Sequence, residues 1–314
     1  MATQETRQLD SIISSRRTML ALGGAAIAGL AFAPKAEAQA AVTDNDILNF
    51  ALNLEYLEAQ FYSLAVSGVT IDKLMTPIPT SVNGGTGGTV TLKPSFAPVP
   101  FKMPTIASYA AETTIEEGKH VKFLQGALGT AAVSMPNIDL YNSFNALASG
   151  AGIGPAFDPF ASDATFLIGA YIFEDVGVTA YHGAAGLISD KTKILPAAVG
   201  IHAVEAYHAG LVRTSINALD AGTGTLNGLT QKISAFRAKL ANPSGTPIDD
   251  VGITTTSVAL NGSSSNYPAT TIVNADSNTI GFSRSTTQIL AIVTGGSSSN
   301  QGVFFPSGLN GTIK

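Results

Sequence analysis

The chain of 314 residues contains no cysteine and no tryptophan, and only 12% of its residues are charged. A typical soluble chain has roughly 25% charged residues. The absence of cysteine excludes disulfides, cysteine-ligated zinc, iron–sulfur clusters and thiol catalysis. Any metal site in this protein must therefore use carboxylates and the four histidines.

An excess of positive charge is also missing. Lys and Arg number 17 against 22 Asp and Glu, a formal net charge of −5, which gives no electrostatic basis for binding nucleic acid. The mean hydropathy is +0.25, with 45% hydrophobic residues and 32 glycines. This composition indicates a globular protein with uncharged polar additions.

The N-terminus has the pattern of an export signal. Ser15-Arg16-Arg17-Thr18 precedes a short apolar stretch, Met19–Ala33, and Ala36-Glu37-Ala38 forms an A-x-A cleavage site. The apolar stretch is shorter than the ~20 residues that a membrane-spanning helix needs, so no transmembrane segment is expected in the mature chain. The paired arginines indicate the twin-arginine route; the alternative is an ordinary secretory signal with a chance pair. Residues 1–38 are thus predicted to direct export to the periplasm or outside the cell.

Apolar residues at helical spacing predict an all-α four-helix bundle in residues 39–241. A shorter fifth helix follows the four of the bundle; the predicted ranges are Asp44–Val66, Ile106–Leu128, Ala164–Ile188, Pro196–Leu219 and Leu226–Leu240. The short link between the third and fourth helices predicts an antiparallel hairpin, and the long link between the second and third predicts a crossover. The insert 67–104 is predicted to be a long loop or a β-hairpin.

Residues 242–314 form a C-terminal extension rich in Ser, Thr, Gly and Asn. Such a composition is compatible with disorder. Ile289–Val293 and Gly302–Pro306 are too apolar for a free tail, so the extension is predicted to pack on the bundle.

Each predicted helix has an apolar or small-residue seam that is interrupted at one level. The order along the chain is Glu, Glu-x-x-His, Glu, Glu-x-x-His, and the residues are Glu55, Glu117, His120, Glu174, Glu205 and His208. Tyr62 and Tyr181 each follow a seam glutamate by seven residues, which indicates duplication of a helix hairpin. This is the ligand set of ferritin-like dinuclear carboxylate proteins.

The cost of burying four carboxylates favours a metal site. Each ionised carboxylate costs several kcal/mol inside a bundle, against a typical total stability of about 5–15 kcal/mol. Two divalent ions with neutral histidines would balance the four charges, and oxygen and imidazole ligands suit iron or manganese. The alternative is a metal-free remnant whose polar groups satisfy one another.

Several neighbours of these residues have two interpretations. Glu58 and His202 are candidate extra ligands, although Glu55 is the better choice on the first helix and His202 fits a packing role. Asp175 either orients a ligand histidine or lies on the surface. Glu112 and Glu116 are predicted to lie on a solvated face, and His182 is predicted to point away from the site.

Tyr62 and Tyr181 are predicted to hydrogen-bond ligand carboxylates, with plain aromatic packing as the alternative.

Four stretches of the sequence resemble a known family. Asn49–Tyr62 and Val204–His208, with Phe282–Gln288 and Gly302–Gly308 in the extension, resemble exported ferritin-like domain proteins of the desiccation-related type. The ligand pattern is also similar to rubrerythrins, bacterioferritins and manganese catalases, but the chain lacks the cysteines of a rubrerythrin electron-transfer domain. The resemblance implies a ferritin-like bundle and a dinuclear site more than a particular reaction.

Two functions remain open at this point. The first is a di-metal oxidoreductase of the catalase or peroxidase kind acting on peroxide or dioxygen, with Glu55, Glu174, His120 and His208 as terminal ligands and Glu117 and Glu205 bridging. The second is a non-catalytic stress-protective or surface-binding protein with a structural metal site. A homo-oligomer is compatible with either function.

Overall fold

A computed structural model describes residues 42–245, 248–259, 264–297 and 299–314, and Thr43–Lys314 forms one compact unit. Within the described residues it contains seven α-helices: α1 Asp44–Ser67, α2 Pro104–Leu128, α3 Asn142–Gly150, α4 Asp163–Ala185, α5 Ile194–Asp220, α6 Thr225–Ala241 and α7 Thr286–Val293. Across these described ranges, no helix is both long and apolar enough to cross a membrane. The predicted signal, residues 1–38, lies outside the described residues.

Local sequence signals set the ends of the long helices. The Thr43 hydroxyl accepts the amide hydrogen of Asp46, whose carboxylate accepts the amide hydrogen of Thr43, so α1 begins with a capping box. Ser162 and Thr165 form the equivalent box before α4. Pro104 occupies the first turn of α2, where its missing amide hydrogen costs nothing. These caps fix where each helix enters the bundle.

The predicted four-helix bundle is confirmed. Helix α1 packs along α2, and α4 packs along α5; these two hairpins are joined by the segment that contains α3. Hydrogen bonds also connect the two hairpins at each end of the bundle. Asp163 accepts the amide hydrogens of Lys102 and Met103, and Asp44 accepts those of Ser189 and Asp190.

The insert between α1 and α2 does not form a hairpin. Its short strand β1 (Val90–Thr91) pairs in parallel with β2 (Ile138–Asp139), which lies in the connection between α2 and α3. A 3₁₀ turn, Ile71–Lys73, begins the insert. The hairpin alternative is therefore wrong, because the strand finds its partner in the crossover rather than in its own segment.

An aromatic cluster fills the core between α1 and α4. The ring of Phe61 lies 5.1 Å from that of Phe173 and 5.7 Å from that of Phe166, measured between centroids. Phe304 of the extension joins the cluster, with its centroid 5.0 Å from Phe173. The extension thus supplies part of the hydrophobic core.

The extension also carries a hairpin of β3 (Thr255–Ala259) and β4 (Asn266–Thr270) and the short helix α7. Three buried arginines and three buried aspartates connect it to α4, α5 and α6; they are Arg213, Arg237, Arg284, Asp175, Asp249 and Asp250. Arg237 bonds Asp175 and Asp250, both at 2.8 Å, and Arg284 bonds Asp250 at 2.8 Å. The charges balance, which makes their burial tolerable.

Candidate metal centre

Six side chains from four helices converge at one level of the bundle. The contributing residues are Glu55 from α1, Glu117 and His120 from α2, Glu174 from α4, and Glu205 and His208 from α5, all buried. Their donor atoms form two groups in which every atom lies within 4.8 Å of the others. This spacing is small enough for one cation to contact each group.

The first group contains Glu55, Glu117, His120 and Glu205. Nδ1 of His120 lies 3.2 Å from Glu55 Oε2, 3.4 Å from Glu117 Oε2 and 3.6 Å from Glu205 Oε1. One imidazole nitrogen therefore faces three carboxylates, which is more than its single hydrogen can serve.

The second group contains Glu117, Glu174 and His208. Nδ1 of His208 lies 2.9 Å from Glu117 Oε1 and 3.4 Å from Glu174 Oε2. Glu117 thus contributes one oxygen to each group, whereas Glu205 belongs to the first group only. The shared carboxylate is the position that a bridging ligand would take.

The donor atoms fit a metal because the protein offers them few partners outside the cluster. Both carboxylate oxygens of Glu205 and Oε2 of Glu174 are buried without a hydrogen-bond partner among the described residues. The oxygens of Glu117 face the imidazole nitrogens of His120 and His208, 3.4 and 2.9 Å away. Buried polar atoms are otherwise almost always paired. A cluster of orphaned oxygens and an imidazole nitrogen is a donor set for divalent iron or manganese.

Two tyrosines connect the halves of the site. The hydroxyl of Tyr62 on α1 donates to Glu174 on α4, and that of Tyr181 on α4 donates to Glu55 on α1. Burial and the neighbouring carboxylates raise the pKa of both hydroxyls well above the usual value. The phenols therefore stay neutral and act as donors that hold the two carboxylates in place.

The pKa values of the carboxyl groups in the cluster shift in opposite directions. Burial raises the pKa of Glu55 to about 7 despite the opposing effect of His120, and raises those of Glu174 and Glu205. Burial opposes ionisation of Glu117 too, but hydrogen bonding to His120 and His208 outweighs it and lowers the pKa to about 2. Without metal, Glu117 is therefore the most readily ionised carboxyl group of the cluster, and Glu55, Glu174 and Glu205 take up protons more readily than usual.

The histidines hold protons in the metal-free site. Burial lowers their pKa values, but the field of Glu55 raises that of His120 to about 10, and the field of Glu174 raises that of His208 to about 12. Hydrogen bonding to Glu117 adds to both shifts. A metal ion would replace these protons at the same nitrogens.

One contact at the site was missed by the sequence analysis. Oε2 of Glu116, predicted to be solvated, lies 2.8 Å from Nε2 of His208. Because a carboxylate accepts the proton on Nε2, Nδ1 is the nitrogen whose lone pair would bind a metal once its own proton is displaced, which is the usual support for a ligating histidine. The corresponding position before Glu205 is Val204, so His120 has no such partner in the second repeat.

Glycine at position 177 makes room for Glu205. A Cβ atom there would overlap Oε2 of Glu205.

Glu58 is also buried near the site, and burial together with the charges of Glu117 and Glu174 raises its pKa well above the usual value. Glu58 contributes to neither group of donor atoms.

The other ambiguous residues lie away from the donor atoms. Asp175 is buried and pairs with Arg213 at 2.9 Å and with Arg237, so neither earlier interpretation of it is right. His202 and His182 direct their Nδ1 atoms to the carbonyls of Val178 and Phe282. Glu112 is exposed, as predicted.

A groove of about 1100 Å³ between α2 and α5 reaches the site. Its walls include aromatic and hydroxyl side chains, and Glu116 and His208 lie on its surface; the residues are Tyr109, Thr113, Glu116, Tyr207, His208 and Thr214. Small molecules can therefore approach the buried cluster from the side of His208.

A comparison with family models matches residues 43–218 to the ferritin-like domain. The chain belongs to this ferritin-like family. The matched region contains all six converging residues and the four helices that position them, so family and geometry agree on the fold.

Two named relatives are similar along much of the chain. The desiccation-related protein PCC13-62 of Craterostigma plantagineum is 32% identical over 67% of this chain and 66% of its own length, just under two thirds. The ferritin-like catalase Nec2 of Nesocodon mauritianus is 25% identical over 86% of this chain and 84% of its own length. No solved structure gives a significant match.

Proposed function

We propose that this ferritin-like protein binds two divalent iron or manganese ions and acts as an oxidoreductase on peroxide or dioxygen. The observation that carries the proposal is the set of orphaned donor atoms in two groups that share Glu117. A relative named as a ferritin-like catalase supports peroxide as the substrate. Disproportionation of two peroxide molecules to water and dioxygen needs no external electron donor.

Two such ions, when bound at the site, would give electrons to one peroxide molecule and accept them from another. The chain supplies the surroundings. Glu55 and Glu174 are held by the tyrosines, Glu117 offers one oxygen to each group, and Glu116 holds the Nε2 proton of His208. The apolar bundle excludes bulk water from the cluster, whose glutamates are at most 1% exposed, and the groove admits the oxidant.

The test is metal content and peroxide turnover of the full chain loaded with manganese or iron. We expect about two ions per chain and evolution of dioxygen. Glu117→Gln should lose both metal and turnover, because it removes a donor from each group. Asp72→Asn, a partly exposed carboxylate on the 3₁₀ turn, should change neither. Absence of bound metal from the wild-type chain would overturn the proposal.

A structural metal site is the second candidate, because one relative is named for desiccation rather than for an enzymatic activity. In that case the ions hold the two hairpins together and the extension makes partner contacts. Metal-loaded protein that is more stable than the metal-free form but leaves peroxide unchanged would support this alternative over the first.

Export by the twin-arginine route remains part of the proposal. The route carries folded proteins, which suits a chain loaded with metal before export. Replacing both Arg16 and Arg17 with lysine should leave precursor in the cytoplasm of the host. Normal export of that variant would indicate the general secretory route.

A further inference from the structure

The four histidines of the chain form two pairs. His120 and His208 belong to the metal centre, with ring centroids 6.4 Å apart. His182 on α4 and His202 on α5 form a second pair, with ring centroids 5.7 Å apart and an angle of 42° between the ring planes. The second pair contributes to neither group of donor atoms at the centre.

Both rings of the second pair are oriented by the backbone. Nδ1 of His182 lies 3.1 Å from the carbonyl oxygen of Phe282, and Nδ1 of His202 lies 3.1 Å from that of Val178. A carbonyl only accepts, so each Nδ1 carries the ring proton and each Nε2 keeps a lone pair. Neither Nε2 has a hydrogen-bond partner within the described ranges.

The contacts at Nδ1 are those that metal-ligating histidines usually make. A ligating imidazole usually donates its other N–H to a carbonyl or carboxylate, which fixes the tautomer and the ring orientation. Two imidazoles on one ion, each with a bond of about 2.0–2.1 Å from Nε2, have centroids roughly 5–6 Å apart. The observed 5.7 Å falls within that range.

The surroundings also permit an ion. Both histidines are partly buried, so solvent can complete the coordination. Burial and the neighbouring His182 lower the pKa of His202, which favours the neutral ring that a metal requires. The pair joins α4 to α5, and His182 also contacts the extension through Phe282.

We propose that His182 and His202 bind a third divalent ion, of the borderline class that prefers imidazole, such as Zn²⁺ or Cu²⁺. An ion at this position links α4, α5 and the segment around Phe282. The site is separate from the dinuclear centre: His202 lies one turn nearer the start of α5 than Glu205, His182 lies on α4 and contributes to neither donor group, and the site needs no carboxylate.

Zinc binding by the full chain tests the site. Equilibrium dialysis against Zn²⁺ should show one ion fewer in His182→Gln and in His202→Gln than in the wild type. Glu117→Gln should lose ions from the dinuclear centre and keep the ion of the histidine pair, so failure of one site is distinguishable from failure of the other. Equal zinc content in the wild type and both histidine variants would overturn the proposal, as would loss in only one of them.

A spectroscopic measurement covers the case in which a variant does not fold. One equivalent of Cu²⁺ added to wild-type protein whose dinuclear centre is already filled should give an electron paramagnetic resonance signal with coupling to two nitrogens. A signal without nitrogen coupling would show copper bound elsewhere and would overturn the assignment to the pair. A rise in melting temperature with Zn²⁺ that disappears in His202→Gln should accompany binding.

Discussion

The hydroxyl of Tyr181 on α4 donates a hydrogen bond to the carboxylate of Glu55 on α1. The reverse contact, from Tyr62 on α1 to Glu174 on α4, repeats it across the site. The glutamate and the tyrosine seven residues later on each helix therefore form a reciprocal pair of hydrogen bonds, in which the tyrosine of each helix orients the carboxylate of the other. This pair of hydrogen bonds connects the two hairpins at the level of the proposed metal ions.

Removing either hydroxyl should weaken metal binding. A hydrogen bond to a charged group contributes about 1.5–3 kcal/mol, so Tyr62→Phe and Tyr181→Phe should each reduce metal affinity by roughly 10- to 100-fold. Competition with a chelator measures the change. Tyr56→Phe is the control, because the Tyr56 hydroxyl contacts Gln125 and Val133 rather than a carboxylate. Equal affinity in all three variants would show that the tyrosines only pack.

Gly177→Ala separates the metal site from the stability of the fold. The added methyl would overlap Oε2 of Glu205, which is the end of a flexible side chain and can move aside. Alanine is also a better helix former than glycine by about 1 kcal/mol. We therefore expect an unchanged or higher melting temperature in the metal-free protein, with weaker metal binding. A fall in metal-free stability with full metal content would contradict the role assigned to Gly177.

Glu55 and Glu58 differ in their expected effect on metal content. Glu55 belongs to the first donor group, and Glu58 belongs to neither. Glu55→Gln should therefore reduce the content to one ion or fewer, and Glu58→Gln should leave two. Elemental analysis of both purified variants decides the matter. If both lose metal equally, Glu58 is a ligand as well.

Asp175→Asn should destabilise the fold strongly. Its carboxylate pairs with Arg213 and Arg237, both buried, and removing one partner of a buried ion pair costs about 3–5 kcal/mol. Urea unfolding should show this loss. Lys93→Met removes the partly exposed ion pair with Asp158 and should cost about 1 kcal/mol or less. Comparable losses in the two variants would mean that the buried network contributes little.

The sequence allowed prediction of the bundle and of the six converging residues because both depend on helical periodicity. The contact of Glu116 with His208 was not predicted, because helical periodicity places Glu116 outside the seam. The two side chains meet at the groove between α2 and α5. The ion pairs of Asp175 were not predicted for a different reason. Arg213, Arg237 and Asp250 approach it through tertiary packing with the extension, which no local pattern records. The pairing of Val90 with Ile138 is equally non-local.

The pH dependence of stability should reverse when metal binds. In the metal-free protein the pKa values of Glu55, Glu174 and Glu205 are raised, that of Glu55 to about 7. Each raised carboxyl stabilises the fold below its unfolded pKa of about 4.5, and this contribution is lost as pH rises through the folded pKa. His120, raised to about 10, contributes stability below about 6.5 that is also lost on the way up.

Glu117 has the opposite sign, but its pKa of about 2 places its loss of stability below pH 4.5. Metal-free stability should therefore fall as pH rises from 5 to 8. Metal binds the deprotonated ligands and is displaced by protons, so its contribution grows over the same interval; at a free concentration a hundredfold above the dissociation constant one site adds about 2.7 kcal/mol. Thermal melts at pH 5.5 and 7.5 should show the larger metal-induced gain at pH 7.5. If metal changes the melting temperature at neither pH, the six residues are not a metal site.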